Sequence, residues 1–241
     1  MLTLLTATGA RPKAWSICEK LMAAQTYTGQ VRWVIVDDGE KEQPIRFKPT
    51  RGTWHLEIFR PEPFWQPGQN TQARNLLVGL SVISSDENLV IIEDDDFYAP
   101  DWLETVEENL KTAELVGETC SRYYNLQAKA GRDMGNLSHS SLCATAMRGQ
   151  AIDTFRSVCR PGIQFIDHIL WQAHSNRHLF DGHRVVGIKG LPGRQGIGMG
   201  HDKKFSGTRD NGGKLLTEWV GQDAVGLYIE EQVKWPKPSE K

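Results

Sequence analysis

Four carboxylates in succession, Glu93-Asp94-Asp95-Asp96, follow the apolar run Asn88 to Ile92. Like charges this close repel, and one of them stays partly protonated unless something compensates. A divalent cation does so: Mg²⁺ and Mn²⁺ take oxygen ligands, often one or two carboxylates plus phosphate oxygens of a substrate. The alternative is a solvated acidic turn that caps the helix predicted from Pro100, because acidic groups stabilise helix N-termini. Two other polar clusters end apolar runs in the same way, Thr6 to Arg11 and Asp37-Asp38-Gly39. Later in the chain, GLPGRQGIGMGHDKKF strings glycines 190, 193, 196, 198 and 200 ahead of His201, Lys203 and Lys204.

These clusters need elements to hold them. Leu2 to Ala7, Val31 to Val36, Trp54 to Phe59 and Asn88 to Ile92 read as strands. Between them, Ala14 to Gln25 has helical spacing (Trp15, Cys18, Leu21, Met22), and so does Asn70 to Ile83 (Leu76, Leu77, Leu80, Ile83). Pro100 to Leu115 is a further amphipathic helix. Strands alternating with helices predict βαβ units and a mostly parallel α/β sheet. Ligands of such sheets bind at the carboxyl ends of the strands, where all three polar clusters fall. The second half is less regular. It predicts strands over Val116 to Leu126, Leu142 to Met147 and Arg184 to Ile188, and helices over Gln150 to Val158 and Phe165 to His174. A glycine-rich segment occupies 190–213, and a closing helix runs from Leu215 to Val233 with a break near Gly221.

The 241 residues, 39% hydrophobic, suit a single domain with a sizeable core. No apolar run approaches the ~20 residues that span a bilayer. The N-terminal stretch reads as a strand and not as a secretory signal. Four scattered cysteines without a CxxC pair argue against a disulfide scaffold or a cysteine zinc site, and suit a reducing cytoplasm. The net charge of −2 hides a split: residues 1–120 carry 11 Lys and Arg against 19 Asp and Glu, whereas 121–241 carry 17 against 11. GIGMG neither follows a strong strand nor opens a helix, Gly207 to Leu215 misses the P-loop spacing, and His174 and His178 lack the Glu of HExxH. Those two histidines read as surface or packing residues. Trp65, Trp171 and Trp219 are either stacking platforms or core.

IIEDDDFYAPDWLE resembles the LDxDDxxxPxxLE segment of family-2 glycosyltransferases with the GT-A fold. VIVDDGE resembles their VVDDGS, NTQARNLLVGL their GxxxARNxGL helix, and TATGARP their first-strand loop. The four matches keep the family's order across residues 1–115. Glu93 stands where the family has Asp, and Glu40 where it has Ser. The resemblance implies a GT-A, Rossmann-like sheet with an α+β acceptor-side region. Residues 1–115 would be the nucleotide-sugar half and 116–241 the acceptor half, with 190–213 as a lid. It also implies transfer of a sugar from a nucleotide-sugar, a UDP-sugar, to a hydroxyl acceptor. Thr6, Ala7 and Arg11 would lie near the base, Asp37 or Asp38 at base or ribose, and Arg74 beside them. Asp95 would be the main ligand of Mn²⁺ or Mg²⁺, with Glu93, Asp94 or Asp96 at ribose, water or donor sugar. A late histidine, His201, would add a metal ligand, and Lys203 and Lys204 would meet the diphosphate. Asp167 stands where the family carries its base, but Ile166 replaces the preceding Glu; a helix cap is the other role for Asp167.

Two rival classes remain, a nucleotidyltransferase or Mg²⁺ phosphohydrolase and a non-catalytic sugar-binding module. Residues 121–214 carry 14 Lys and Arg against 6 Asp and Glu, plus six histidines, which suits a polyanionic acceptor. The chain is similar in this respect to small soluble bacteriophage enzymes that glycosylate hydroxymethylated pyrimidines in DNA, which act in the host cytoplasm. Arg148, Arg156 and Arg160 are the candidate DNA face. No obligate protein partner is evident.

Overall fold

Leu2–Thr8 (β1) is buried along nearly its whole length, as a central strand covered on both faces must be. Pro12–Ala23 (α1) starts with proline at its first turn, where the missing N–H costs nothing. It returns the chain to Gln30–Asp37 (β2), and Thr53–Phe59 (β3) adds the edge strand. Gln72–Leu80 (α2) then leads into Asn88–Ile91 (β4), which pairs with the other side of β1. These four strands are mutually parallel, so the ends of β1, β2 and β4 open on one edge of the sheet. The computed structural model describes residues 1–163, 165–196, 200–201 and 205–229.

After β4 the acidic run turns directly into a two-residue strand, Phe97–Tyr98 (β5), followed by Trp102–Asn109 (α3), Leu115–Glu118 (β6), Arg122–Asn125 (β7) and Ala130–Asp133 (β8). A 3₁₀ turn at Leu142–Ala144 precedes Thr145–Arg148 (β9), and Gln150–Val158 (α4) and Ile166–Ala173 (α5) follow. Arg177–Phe180 (β10), Val185–Lys189 (β11) and Thr208–Arg209 (β12) complete the strands, and Lys214–Val220 (α6) and Gln222–Ile229 (α7) close the described chain. The main sheet has seven strands in the order β10-β6-β9-β4-β1-β2-β3, with β9 antiparallel to both its neighbours. A second sheet runs β12-β8-β7-β11-β5.

Two apolar layers fix the main sheet. One face, with Leu4, Trp33, Val90 and Ile92, packs on Trp15, Cys18 and Met22 of α1 and on Trp102 and Val106 of α3; the same cluster continues into Tyr124, Ile188, Leu216 and Tyr228. The other face, with Leu5, Val34, Ile91 and Met147, packs on Leu76 of α2, Phe155 of α4 and Leu170 and Trp171 of α5. Alternation along β1 sends Leu4 one way and Leu5 the other, the period-two geometry of a strand.

The elements up to β4 match the sequence reading to within three residues, but the helix expected over Pro100 to Leu115 ends at Asn109, Leu115 opens β6, and the short strand β5 was not expected. In the second half, the stretch expected as one strand over Val116 to Leu126 is split into β6 and β7, because Cys120 takes a left-handed conformation (φ 51°) and turns the chain between sheets. The hairpin of β7 and β8 and the edge strand β10 were not expected; their sequences RYYN, AGRD and RHLF lack an apolar alternation. The break at Gly221 (φ 82°) separates α6 from α7 as expected.

Candidate active site

The acidic run is a tight turn joining the two sheets. The Glu93 amide donates to the Tyr98 hydroxyl (2.8 Å), tying β4 to β5 across it. Each carboxylate then has its own partner. Arg11, just beyond β1, donates from Nη1 to Asp94 Oδ1 (2.6 Å) and from Nη2 to Asp95 Oδ2 (2.5 Å). Thr8, the last residue of β1, donates to Asp94 Oδ2 (2.6 Å). Asp96 Oδ1 accepts from the Ile188 amide (2.8 Å) and from Lys189 Nζ (3.1 Å), both on β11. Glu93, the most exposed of the four, accepts from Gln72 Nε2 at the start of α2 (2.9 Å) and lies 3.9 Å from Lys189.

Burial opposes charge here, and Arg11 and Lys189 offset part of that cost. Burial drives Asp94 up to about 6 despite Arg11. Burial would raise Asp95 as well, but Arg11, Lys189 and His201 hold it down at about 2. Asp96, fully buried, is pushed well up by desolvation, with Lys189 pulling the other way. Lys189 is itself buried, which favours its neutral form, yet Asp96, Asp95 and Glu93 raise it on balance. Removing the ammonium therefore leaves Asp96 an uncompensated buried acid. Lys189→Ala should cost about 3–5 kcal/mol of stability in urea unfolding. A loss within experimental error would show that Asp96 does not depend on Lys189.

At the end of β2, Asp37 and Asp38 have different work. Asp37 accepts from the amides of Gly39 (2.9 Å) and Gln43 (3.0 Å) and so shapes the turn. Asp38 is fully buried and is a hub: Thr71 donates to it, Arg74 Nη2 donates at 3.0 Å, and Arg194 Nη1 donates at 2.6 Å. Gly9 makes this proximity possible. Its φ is 137°, and a Cβ there would stand 2.2 Å from Asp38 Oδ1. Arg194 belongs to the glycine-rich segment and reaches right across the edge of the sheet. It also donates to Thr71 Oγ1 (2.6 Å) and stacks on Trp65, 4.7 Å from the ring centroid. Asn125 Nδ2 holds Gly200 O (2.7 Å) and Gln127 Nε2 holds Gly190 O (3.1 Å), so this segment is held at Gly190 and Gly200 as well as at Arg194.

His201 packs against Gly196 in the same segment, close enough to Asp95 to feel its charge. Burial, then Lys189, hold the imidazole down at about 4, so it is neutral near pH 7. Lys203 and Lys204 lie outside the described residues. Asp167 stands in the first turn of α5, half-buried, within electrostatic reach of Tyr123 and His139. Its Oδ1 accepts from the amide of His168, and α5 has no side-chain cap at its N-cap residue Phe165.

Several expectations need correction. Thr6 does not face the cleft: its hydroxyl is fully buried and accepts from Trp33 Nε1 (2.9 Å), and Thr8, two residues on, carries the contact to the acidic turn. Ala7 faces the opposite side, against the α2 layer. Arg148 and Arg156 do not border the cleft. Arg148 pairs with Asn88 at the start of β4 and caps the carbonyls of Leu110 and Ala113, while Arg156 caps those of Leu80 and Ile83, all at the opposite edge of the sheet. Arg160 donates to Ser157 O, its own helix end. Trp171 is core, Trp219 lies under Arg122, and Trp65 alone of the three lies beside the cleft. His174 is buried, 3.2 Å from Glu114. Sequence reasoning missed Thr8, Lys189 and Arg194.

A divalent cation fits these residues. Asp96 Oδ2 and His201 Nδ1 are buried without a hydrogen-bond partner among the described residues. Ligand atoms of Glu93, Asp96 and Cys143 lie within 4.8 Å of one another. Burial and Asp96 raise the Cys143 thiol well above its ordinary range, so it stays protonated and is no ligand for a hard cation.

No protein-family model matches the chain, and no curated protein sequence matches it. Solved structures do. S. aureus TarS superposes with a TM-score of 0.56 at 10% identity, over 78% of this chain and 37% of that one. TarS 1–349 in complex with UDP gives 0.54 at 9%, over 78% and 60%, and in complex with UDP-GlcNAc 0.54 at 8%, over 85% and 62%. The chain thus spans between about a third and three fifths of the TarS chains it matches. The architecture is a GT-A, Rossmann-like mixed sheet, the fold class that the sequence resemblance implied.

Proposed function

We propose that the chain is a glycosyltransferase that moves a sugar from a nucleotide-sugar, a UDP-sugar, to a hydroxyl acceptor. The observation that carries this is the convergence of Arg11, Asp38, Arg74 and the Glu93–Asp96 turn at the carboxyl edge of a GT-A sheet. Complexes of the similarly folded TarS with UDP and UDP-GlcNAc support the donor class.

In this reading residues 1–115 bind the donor and 116–241 the acceptor. Asp38 and Arg74 flank the base and ribose, and Arg11 neutralises Asp94 and Asp95 beside the diphosphate. Asp95 and His201, with Glu93 or Asp96, would hold Mn²⁺ or Mg²⁺, which neutralises the departing diphosphate as a Lewis acid. The acceptor oxygen attacks the anomeric carbon while the bond from that carbon to the diphosphate oxygen breaks and its electrons leave with the nucleotide. Asp167 takes the acceptor's proton, and the product has inverted configuration. Closure of the 190–213 segment, tied to Asp38 through Arg194, excludes water from the transfer.

Closure has a proteolytic signature. Arg194→Ala removes the tie to Asp38 and Trp65, so protease cleavage between Gly190 and Gly196 should become faster, and UDP with Mn²⁺ should slow it in the wild type. Cleavage that ignores both the substitution and the nucleotide would remove the lid from this reading.

The excess of Lys and Arg over residues 121–214, without Arg148, Arg156 and Arg160, which are spent on backbone carbonyls, favours a hydroxymethylated pyrimidine in DNA as the acceptor. Transfer to such a duplex should then fall steeply with salt, since each phosphate contact releases counterions. Mass spectrometry of products from a panel of nucleotide-sugars against hydroxymethylated duplex and neutral saccharides tests donor and acceptor together. Transfer to saccharides alone, insensitive to salt, keeps the glycosyltransferase and discards the DNA acceptor.

A further inference from the structure

One side chain bridges the carboxyl edge of the main sheet. β11 ends at Lys189, and the chain turns at Gly190 (φ 83°) toward the loop after β1. Gly193 (φ 98°) permits a close approach there: a Cβ would stand 3.4 Å from Ala10 O. Arg194 follows, and its guanidinium reaches three elements at once. Nη1 donates to Asp38 Oδ1 at the end of β2 (2.6 Å) and to Gly9 O in the β1 loop (3.5 Å). Nη2 donates to Thr71 Oγ1 at the start of α2 (2.6 Å). The guanidinium carbon lies 4.7 Å from the centroid of Trp65, a cation–π contact.

Both oxygens of Asp38 are thereby taken. Oδ2 accepts from Thr71 and from Arg74 Nη2 (3.0 Å), and Oδ1 accepts from Arg194. Only 13% of the Arg194 side chain is exposed, and none of Asp38. A nucleotide arriving from solvent therefore meets Arg194 before it meets Asp38. The contact is held against a cost: burial lowers the guanidinium below its usual range even with Asp38 beside it, and Arg11 adds repulsion. It is also one the fold does not need. Without Arg194, Asp38 keeps Arg74 and Thr71, and the segment keeps its ties at Gly190 and Gly200. Left-handed glycines at those two ties let the part that carries Arg194 lift while the sheet stays packed.

We propose that Arg194 latches the donor edge shut in the free chain, and that a nucleotide enters only after the guanidinium leaves Asp38. It rests on the donor reading of this edge and adds the order of events: unlatching, entry, and closure again over the bound donor. The latch sets the rates of entry and exit and leaves affinity nearly unchanged, because the segment closes on the free and on the occupied edge alike.

Trp65 reports the latch. Its own emission is the difference between each protein and the same protein carrying Trp65→Phe, which sets aside the other tryptophans. Without nucleotide, Arg194→Ala should raise acrylamide quenching of that emission severalfold, because the ring loses its cover, while the melting temperature stays near that of the wild type. On stopped-flow mixing with UDP and Mn²⁺, the wild-type rate should level off with UDP concentration at the opening rate. Arg194→Ala should raise that ceiling at least about tenfold, the effect of one lost charge-assisted hydrogen bond, with Kd almost unmoved. Arg194→Lys keeps the charge but cannot span Asp38 and Thr71 together, and should fall between. Equal quenching in the two proteins, a wild-type rate that rises linearly with UDP, or a ceiling that Arg194→Ala leaves in place overturns the proposal. A Kd loss carried by faster exit alone makes Arg194 a plain donor contact and overturns it too. UDP that binds neither protein, with quenching still raised by Arg194→Ala, strikes the donor reading and leaves the latch.

Discussion

Asp95→Asn should lower turnover by about 10²–10³-fold, the scale of losing one fixed charge from the place where transition-state charge develops. The substitution is nearly isosteric. Arg11 keeps its 2.6 Å bond to Asp94, and the amide oxygen still accepts from Nη2, so the melting temperature should stay close to that of the wild type. Arg11, Lys189 and His201 hold Asp95 ionised, at about 2, which is the state a cation requires. Two readouts separate a metal role from a merely electrostatic one. Mn²⁺ binding, followed by water proton relaxation, should weaken in the variant. The wild type should lose turnover in EDTA and regain it with Mn²⁺ or Mg²⁺. Full activity in EDTA would remove the metal from the account.

Asp167→Asn should cut transfer by about 100-fold or more while donor KM changes little, because a base acts on the acceptor's proton and not on the donor. The residue lies near Tyr123 and in the first turn of α5, one residue past its start, so its competing role is to stabilise the helix N-terminus by its charge and not to cap it. The two roles diverge in measurement. A first-turn carboxylate lost from the helix lowers stability by about 0.3–1 kcal/mol, which asparagine does not restore. Unchanged stability with lost transfer marks the base. Lost donor binding, or a product with retained anomeric configuration, marks Asp167 as structural.

The first half was legible because its pattern is local. Apolar strands end in TATGAR, DDG and EDDD, and the parallel connection brings those ends together whatever the loops do. Arg74, which the resemblance put beside the nucleotide site, meets Asp38 because helix α2 begins at the same edge. The residues that were missed are joined by tertiary structure alone. Lys189 meets Asp96 across 93 residues of chain and Arg194 meets Asp38 across 156, and neither position carries a sequence signal beyond being basic. Thr8 was passed over for Thr6, although both lie on one face of β1 and only the last residue reaches beyond the sheet. The basic second half suggested an anion-binding face, but Arg148 and Arg156 are spent on backbone carbonyls far from the cleft, which net charge does not reveal.

The central claim is that this chain breaks the bond between a sugar and a nucleoside diphosphate. The direct measurement is release of free nucleotide from a panel of nucleoside-diphosphate sugars, with Mn²⁺ and in EDTA, comparing the wild type with Asp95→Asn. The account predicts metal-dependent release of UDP from at least one UDP-sugar, and its near loss in the variant. Release from no donor, with or without acceptor, would contradict it.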